Sequence, residues 1–525
     1  MSKIRVLDCT LRDGGYVNNW SFGADNIRKI LDNLIKSRVD YVECGFLEQG
    51  GFDGNKSLFP TISHLENLLK PPDSGVTFTL MISYGSYRIE DIPDCVNKNI
   101  NLRVIFKKNE IPDALEYCKA LIQKGYDIFI NPRHTNTYSS SELLSLVKQV
   151  NEIKPKGFTI VDTTGAMKEK DILTAFYVID SSLNRDIALC FHSHNNLQLS
   201  FSNAQCLMKV CTSRELIIDS TVFGIGRGAG NLCTELLTQY LNDNYGGDYN
   251  LVPILKIVDE QINPIFAKTP WGYSVPYYLA ATNHCHPNYA KYLIDKQTVP
   301  VEFINNLLTS IPENKKAAYD SDLIKQLYLD KFSAIIDDSA AVKYLEDVLQ
   351  KRKILILAPG KSLKCEKEKI EQFIEKENPF IFSLNFVPED FEENLAFFTN
   401  VKRFSALKNY EKPLILSSNI ENRPENAFLL NYSSYLNKSN MFDNIALMLL
   451  TLLSKIGVRE VWTAGFDGFC NDAGENYVSD DLIFSAKIVD RNKQNEIISE
   501  ELQKLSEKIQ INFITKTLYK VSKSC

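Results

Sequence analysis

From residue 4 to about 240 the apolar residues fall into two alternating patterns. Short continuous runs rich in Val, Ile and Phe occupy 4–9, 41–46, 77–82, 102–106, 127–131, 157–162, 187–194 and 216–223. These runs are read as strands. Between them, as in 24–36, 114–124, 141–153 and 203–209, apolar positions return every three or four residues, the spacing of an amphipathic helix. Strands that alternate with helices build a parallel sheet. Eight such units in about 240 residues is the count and size of a closed (β/α)8 TIM barrel. An open doubly wound sheet is the rival reading, but the glycine fingerprint expected after its first strand is missing.

Beyond the barrel, taken as 1–248, the pattern turns helical and rich in Tyr and Asn over 249–348. That segment reads as a helical appendage on the barrel. At 349–525 strand-like runs resume, at ILILAPGKSL (354–363), 380–384, 414–417 and 460–464, with a helix at 443–456. This predicts a second, Rossmann-like α/β domain. Asn385 and Asp467 sit at strand ends there, where open sheets bind ligands, although ordinary turn chemistry accounts for them equally well.

Composition narrows the class. The 44% apolar content describes a globular chain, and the formal charge of −6 argues against nucleic acid as a main partner. No apolar run approaches the roughly 18 residues of a membrane span. The N-terminus leads into a strand without a signal-peptide core. Twelve cysteines without CxxC spacing, several inside apolar runs, suit reduced thiols. A cytoplasmic protein is expected.

The chemistry concentrates at strand ends. VLDCTLRDGGY (6–16) places Asp8 at the end of the first strand, with Arg12 and Asp13 just beyond. FHSHNN (191–196) places His192 and His194 two residues apart, on one face of a strand. A carboxylate and two imidazoles suit a divalent ion with open positions. Asp8, His192 and His194 are therefore the expected ligands, with the Asn231 amide oxygen as a fourth. The ion is Mn²⁺, Mg²⁺ or Zn²⁺. Arg12 is expected to neutralise charge developing on an enolate. Asp13, Glu43 and Asp162 are expected to support the ligands, with a structural role the favoured reading for Asp162. In GIGRGAGN (224–231), Gly226 and Gly228 let backbone N–H groups approach an anion, and Asn231 should lie near a helix N-cap. His284 and His286, also two apart but on a helical stretch, are expected to cap a helix or meet another subunit.

LDCTLRDGG, HSHNNLQLSFSNA and GIGRGAGN together resemble the metal-dependent DRE-type TIM-barrel lyases and aldolases over about residues 1–300. The resemblance implies an aldolase that makes or breaks a C–C bond through a pyruvate-type enolate, with a 2-oxo acid and an aldehyde as partners. It also implies Asp8, His192, His194 and Asn231 as ligands. HNNLQLSFSNA and GYSVPYY are most similar to the 4-hydroxy-2-oxovalerate aldolases. Two departures bear on the other members: Gly15-Tyr16 stands where the Claisen-type synthases carry Glu-Gln, and Val222 where the hydroxymethylglutaryl-CoA lyases carry Cys. The aldolases use a His as base after TLRDG, and this chain has Tyr16, so Tyr16, a metal-bound water or Tyr277 is left to act. The remaining alternatives are an acyl-CoA/2-oxo acid condensation and a non-catalytic barrel serving as a platform. The second domain resembles, more faintly, Rossmann-like domains of surface-glycan and sialyltransferase-type proteins, which implies a nucleotide or nucleotide sugar as ligand. A homo-oligomer is compatible with all of these.

Overall fold

The structure is a computed structural model that describes residues 3–69, 75–211, 213–296, 299–331, 336–408, 410–421, 423–425, 427–436, 443–470, 475–482 and 491–521. The chain forms two compact units. One comprises Met1–Ala290 with Ile311–Tyr319, and the other Lys291–Ser310 with Asp320–Cys525.

The first unit is built on eight parallel strands: β1 (Ile4–Asp8), β2 (Tyr41–Leu47), β3 (Thr77–Ser83), β4 (Ile100–Phe106), β5 (Ile128–Pro132), β6 (Gly157–Asp162), β7 (Ala188–Ser193) and β8 (Leu216–Ser220). Each pairs with its neighbour in order, and β1 closes the ring by pairing with both β8 and β2. The TIM barrel expected from the sequence is therefore present. The helix Ala24–Lys36 shows why its segment folds as it does. Ile27, Ile30, Leu31 and Leu34 share one face and are buried, and each such burial contributes about 1.5–3 kcal/mol.

Side chains alternate across the barrel wall. Leu7, Cys9, Tyr41, Phe129, Ala188, Cys190 and Ile217 meet in a cluster of their own inside the barrel. Val6, Val42, Leu80, Phe158, Ile160 and Leu189 belong instead to the larger core that includes the surrounding helices. This alternation decides which polar residues further along each strand reach the mouth.

Among its described residues the second unit holds seven strands, all paired in parallel: β9 (Ile354–Leu357), β10 (Phe380–Leu384), β11 (Leu395–Phe398), β12 (Leu414–Ser417), β13 (Phe428–Leu430), β14 (Glu460–Ala464) and β15 (Gln510–Phe513). Their order is β13-β12-β11-β10-β9-β14-β15. This is the open α/β sheet expected. Strands β11, β13 and β15, of three or four residues each, are not among the runs read from the sequence. The helical segment 249–348 is divided between the two units.

The turn after β6 fixes the strand end that carries the imidazoles. Gly165 has φ +59°, and a Cβ there would stand 2.8 Å from His194 O and 2.7 Å from Asn196 N. Gly165→Ala is expected to destabilise the fold by about 1–3 kcal/mol through strain and overpacking, read as a lower midpoint in urea denaturation.

Candidate active site

Above the apolar layer, inward-facing positions on several strands carry polar groups. Glu43 follows Tyr41 by two residues, Asn131 follows Phe129, His192 follows Cys190 and Asp219 follows Ile217. Arg103 on β4 ties them together. Its Nη2 donates to Asp219 Oδ2 at 2.5 Å and to Asn131 Oδ1 at 3.1 Å, and its Nη1 lies 3.2 Å from Glu43 Oε1. Burial alone would raise the Asp219 carboxyl, but Arg103 and His192 hold it below its usual range. Asp219 in turn meets His192 Nδ1 at 3.0 Å, which leaves Nε2 facing the mouth.

The short helix Thr10–Asp13 turns in over the end of β1. Arg12 donates from Nε to Glu43 Oε2 at 2.6 Å and from Nη1 to Asp13 Oδ1 at 2.5 Å. The other Asp13 oxygen lies 3.9 Å from His192 Nε2 and 3.9 Å from His194 Nε2. Asp13, His192 and His194 thus form a buried group whose ligand atoms lie within 4.8 Å of one another. Burial would raise the Asp13 carboxyl, yet Arg12 and the two imidazoles hold it well below the carboxylate range. Burial pushes His194 down to about 3, so it stays neutral.

The carboxylate that joins the imidazoles is therefore Asp13, not Asp8. Asp8 alternates with Leu7 and so lies on the same side of the wall as Val6. Its oxygens accept hydrogen bonds from Thr10 N at 3.0 Å and Thr234 Oγ1 at 2.6 Å, and burial raises its pKa to about 6. Asn231 is at the centre: its Nδ2 donates to Asp13 Oδ2 at 2.5 Å and its Oδ1 is buried without a hydrogen-bond partner. Its backbone bridges to His194, and the helix that follows starts only at Thr234, so it is not an N-cap. An ionised carboxylate, two imidazoles and an unsatisfied amide oxygen are a donor set that fits a divalent ion. A second grouping of Cys9, His192 and Asp219 fits poorly, because burial raises the Cys9 thiol and Arg103 already occupies Asp219.

Arg12, Asp13, His192 and His194 form the floor of a cavity of about 570 Å³ at the C-terminal ends of the strands, lined also by Tyr16, Arg133, His134, Arg227, His286 and Tyr319. Tyr16 packs edge-on against Trp20 with Arg227 5.0 Å above its ring. Tyr277, on the helix Val275–Thr282, is not among the lining residues. Asp162 uses both oxygens on the turn after β6, accepting from Ala166 N and Met167 N. A Cβ on Gly226 would stand 2.2 Å from Asn231 Nδ2, and one on Gly228 2.7 Å from Asn196 Oδ1. These two glycines make room for close side-chain packing. His286 accepts from Asn288 N at 3.2 Å and caps the helix Pro287–Asp295. The segment 311–319 closes the wall, pinned where Tyr289 donates to Lys315 O and Ala318 O. In the second unit, Asp467 accepts from Ser362 N at 2.7 Å, and Asn385 accepts from Thr399 N at 2.8 Å. Both hold turns.

The match to known proteins falls on this barrel. Residues 3–251 match the HMGL-like family. An oxaloacetate decarboxylase of Mycobacterium tuberculosis is 25% identical over 274 residues, 51% of this chain and 79% of that protein. A 4-hydroxy-2-oxovalerate aldolase of Pseudoalteromonas translucida is 24% identical over 272 residues, 50% of this chain and 77% of that protein. The crystal structure of the N-terminal domain of a Bacteroides vulgatus protein, provisionally described as an aldolase, superposes with a TM-score of 0.50 at 25% identity. It covers 55% of this chain and 96% of that one. Among the described residues, no helix is long and apolar enough to cross a membrane.

Glu43 and Asp219 are both buried and share one guanidinium. Arg103→Met is expected to cost about 3–5 kcal/mol by removing the guanidinium that these two buried carboxylates share, measured by chemical denaturation against the parent chain.

Proposed function

We propose that the barrel is a divalent-metal-dependent carbon–carbon lyase or aldolase working through the enolate of pyruvate. The observation that carries this is the Asp13, His192 and His194 group beside Arg12 on the floor of the cavity. Asp13, His192 and His194 would hold the ion, with the Asn231 oxygen as a further donor, and Mn²⁺ or Mg²⁺ is the first choice. Such an ion supplies a Lewis acid for the keto oxygen of a 2-oxo acid. The names of the two relatives support the same intermediate. Cleaving a 4-hydroxy-2-oxo acid between C3 and C4, or removing C4 from oxaloacetate as CO₂, leaves the enolate of pyruvate in each case.

The chain's own residues then divide the work. Arg12, held by Glu43 and Asp13, presents a fixed positive charge to the substrate's carboxylate and enolate oxygens. Tyr16 lines the cavity with the Arg227 guanidinium over its ring, which holds the phenol in place beside the ligand group. In this reading the Tyr16 hydroxyl carries the proton between the acceptor oxygen and solvent. Tyr277 is left with no part in the chemistry. The protein acts on a 2-oxo acid and an aldehyde. The open sheet of the second domain, with a cavity of about 320 Å³ beside Asn385 and Arg403, supports a nucleotide or nucleotide sugar as its ligand. That would place the protein in surface-glycan biosynthesis.

The ligand assignment is tested by titrating Mn²⁺ into the protein calorimetrically. Asp13→Ala and His192→Ala are expected to abolish binding, and Asp8→Asn to retain it; loss in Asp8→Asn alone would reject the assignment. The reaction is tested by exchange of pyruvate methyl protons with D₂O. Tyr16→Phe is expected to slow aldol cleavage by about 10²-fold or more, the usual worth of a positioned proton carrier.

A further inference from the structure

The cavity is charged far beyond what a small neutral aldehyde needs. Six cations line it, Arg12, Arg103, Lys107, Lys108, Arg133 and Arg227, against Asp13 as the one acid among the described lining residues. Four of the six are matched. Arg12 and Arg103 are held by Glu43, Asp13 and Asp219. Lys107 lies 3.5 Å from Glu110, and Lys108 lies 2.7 Å from Glu142.

Arg133 and Arg227 are different. Neither makes an ion pair among the described residues, and the Nε of each is fully covered without a hydrogen-bond partner. Arg227 is held in place over the Tyr16 ring. Arg133 follows the end of β5, and burial together with the charge on Arg227 works against its own. His134, next to Arg133, is kept neutral by burial and by the same two guanidiniums. Two like charges partly withdrawn from water cost free energy that no ion pair among the described residues offsets. An anion between them would repay it, and a guanidinium pair suits the several oxygens of a phosphate or carboxylate.

Resting on the pyruvate-enolate reading above, we infer that the acceptor aldehyde carries an anionic group, phosphate or carboxylate, which Arg133 and Arg227 bind. The enolate oxygens are accounted for by Arg12 and the floor of the cavity, so this second pair selects the partner.

The test uses the full chain with Mn²⁺. Calorimetry with the unreactive probes glycerol 3-phosphate and glycerol reads binding apart from turnover. Glycerol 3-phosphate is expected to bind at least tenfold more tightly than glycerol, and Arg133→Met and Arg227→Met each to lose that margin. Condensation of pyruvate is then compared with glyceraldehyde 3-phosphate, succinic semialdehyde and neutral glyceraldehyde. An advantage in kcat/KM of at least tenfold for one charged aldehyde identifies which anion is meant, and the ratio should collapse in Arg133→Met. Because it is a ratio within each variant, it is insensitive to the fraction folded. Pyruvate proton exchange in the parent protein separates the two readings. Exchange with no preference for charged probes or aldehydes overturns this inference alone, whereas no exchange overturns the enolate reading and this inference with it.

Discussion

The inward or outward direction of each side chain along the barrel strands governs the rest of the site. Positions two apart share a face, so the apolar layer of Leu7, Tyr41, Phe129, Cys190 and Ile217 dictates that Glu43, Asn131, His192 and Asp219 also point inward. A buried carboxylate needs an ion pair or hydrogen bonds, since each uncompensated ion costs several kcal/mol. Arg103 supplies the pairing for Glu43 and Asp219 at once. What it holds is used twice: Glu43 fixes Arg12, and Asp219 fixes the His192 ring with Nε2 toward Asp13. The charge at the mouth therefore depends on ion pairs one layer below it.

Much of this was legible in the residues. The eight strands, their parallel order and the two imidazoles on one face follow from apolar runs and an HxH spacing. Glu43 reads as a supporting acid, and it grips Arg12. The choice between Asp8 and Asp13 was not legible. Strands of a parallel barrel are apolar on both faces, so period-two alternation does not say which face is inside. Only the contacts of Leu7 and Val6 show that Asp8 is turned away. Asp13 reaches the imidazoles because a four-residue helix carries it there, and so short a helix has no periodic signal. Arg103 and Asp219 were hidden for a related reason. Each is a single charge in an apolar run, and the two lie 116 residues apart in the chain.

The glycine-rich turn shows the same limit. Its composition suggests a cradle for an anion, and the geometry shows glycines placed where Asn231 and Asn196 need space. Arg227, which interrupts the run, is the residue of that loop that reaches the cavity. A loop of this kind is defined as much by the neighbours that fill the missing side-chain volume as by its own sequence.

The route of the chain has one further consequence. It leaves the first unit after residue 290, contributes 291–310 to the second, and returns for 311–319 before leaving again. That returning piece supplies Asn314, Ala317, Ala318 and Tyr319 to the cavity wall. The two units are consequently interlaced as sequence, and no single junction parts them. A cut after residue 290 would therefore leave the barrel without four residues of its own cavity wall.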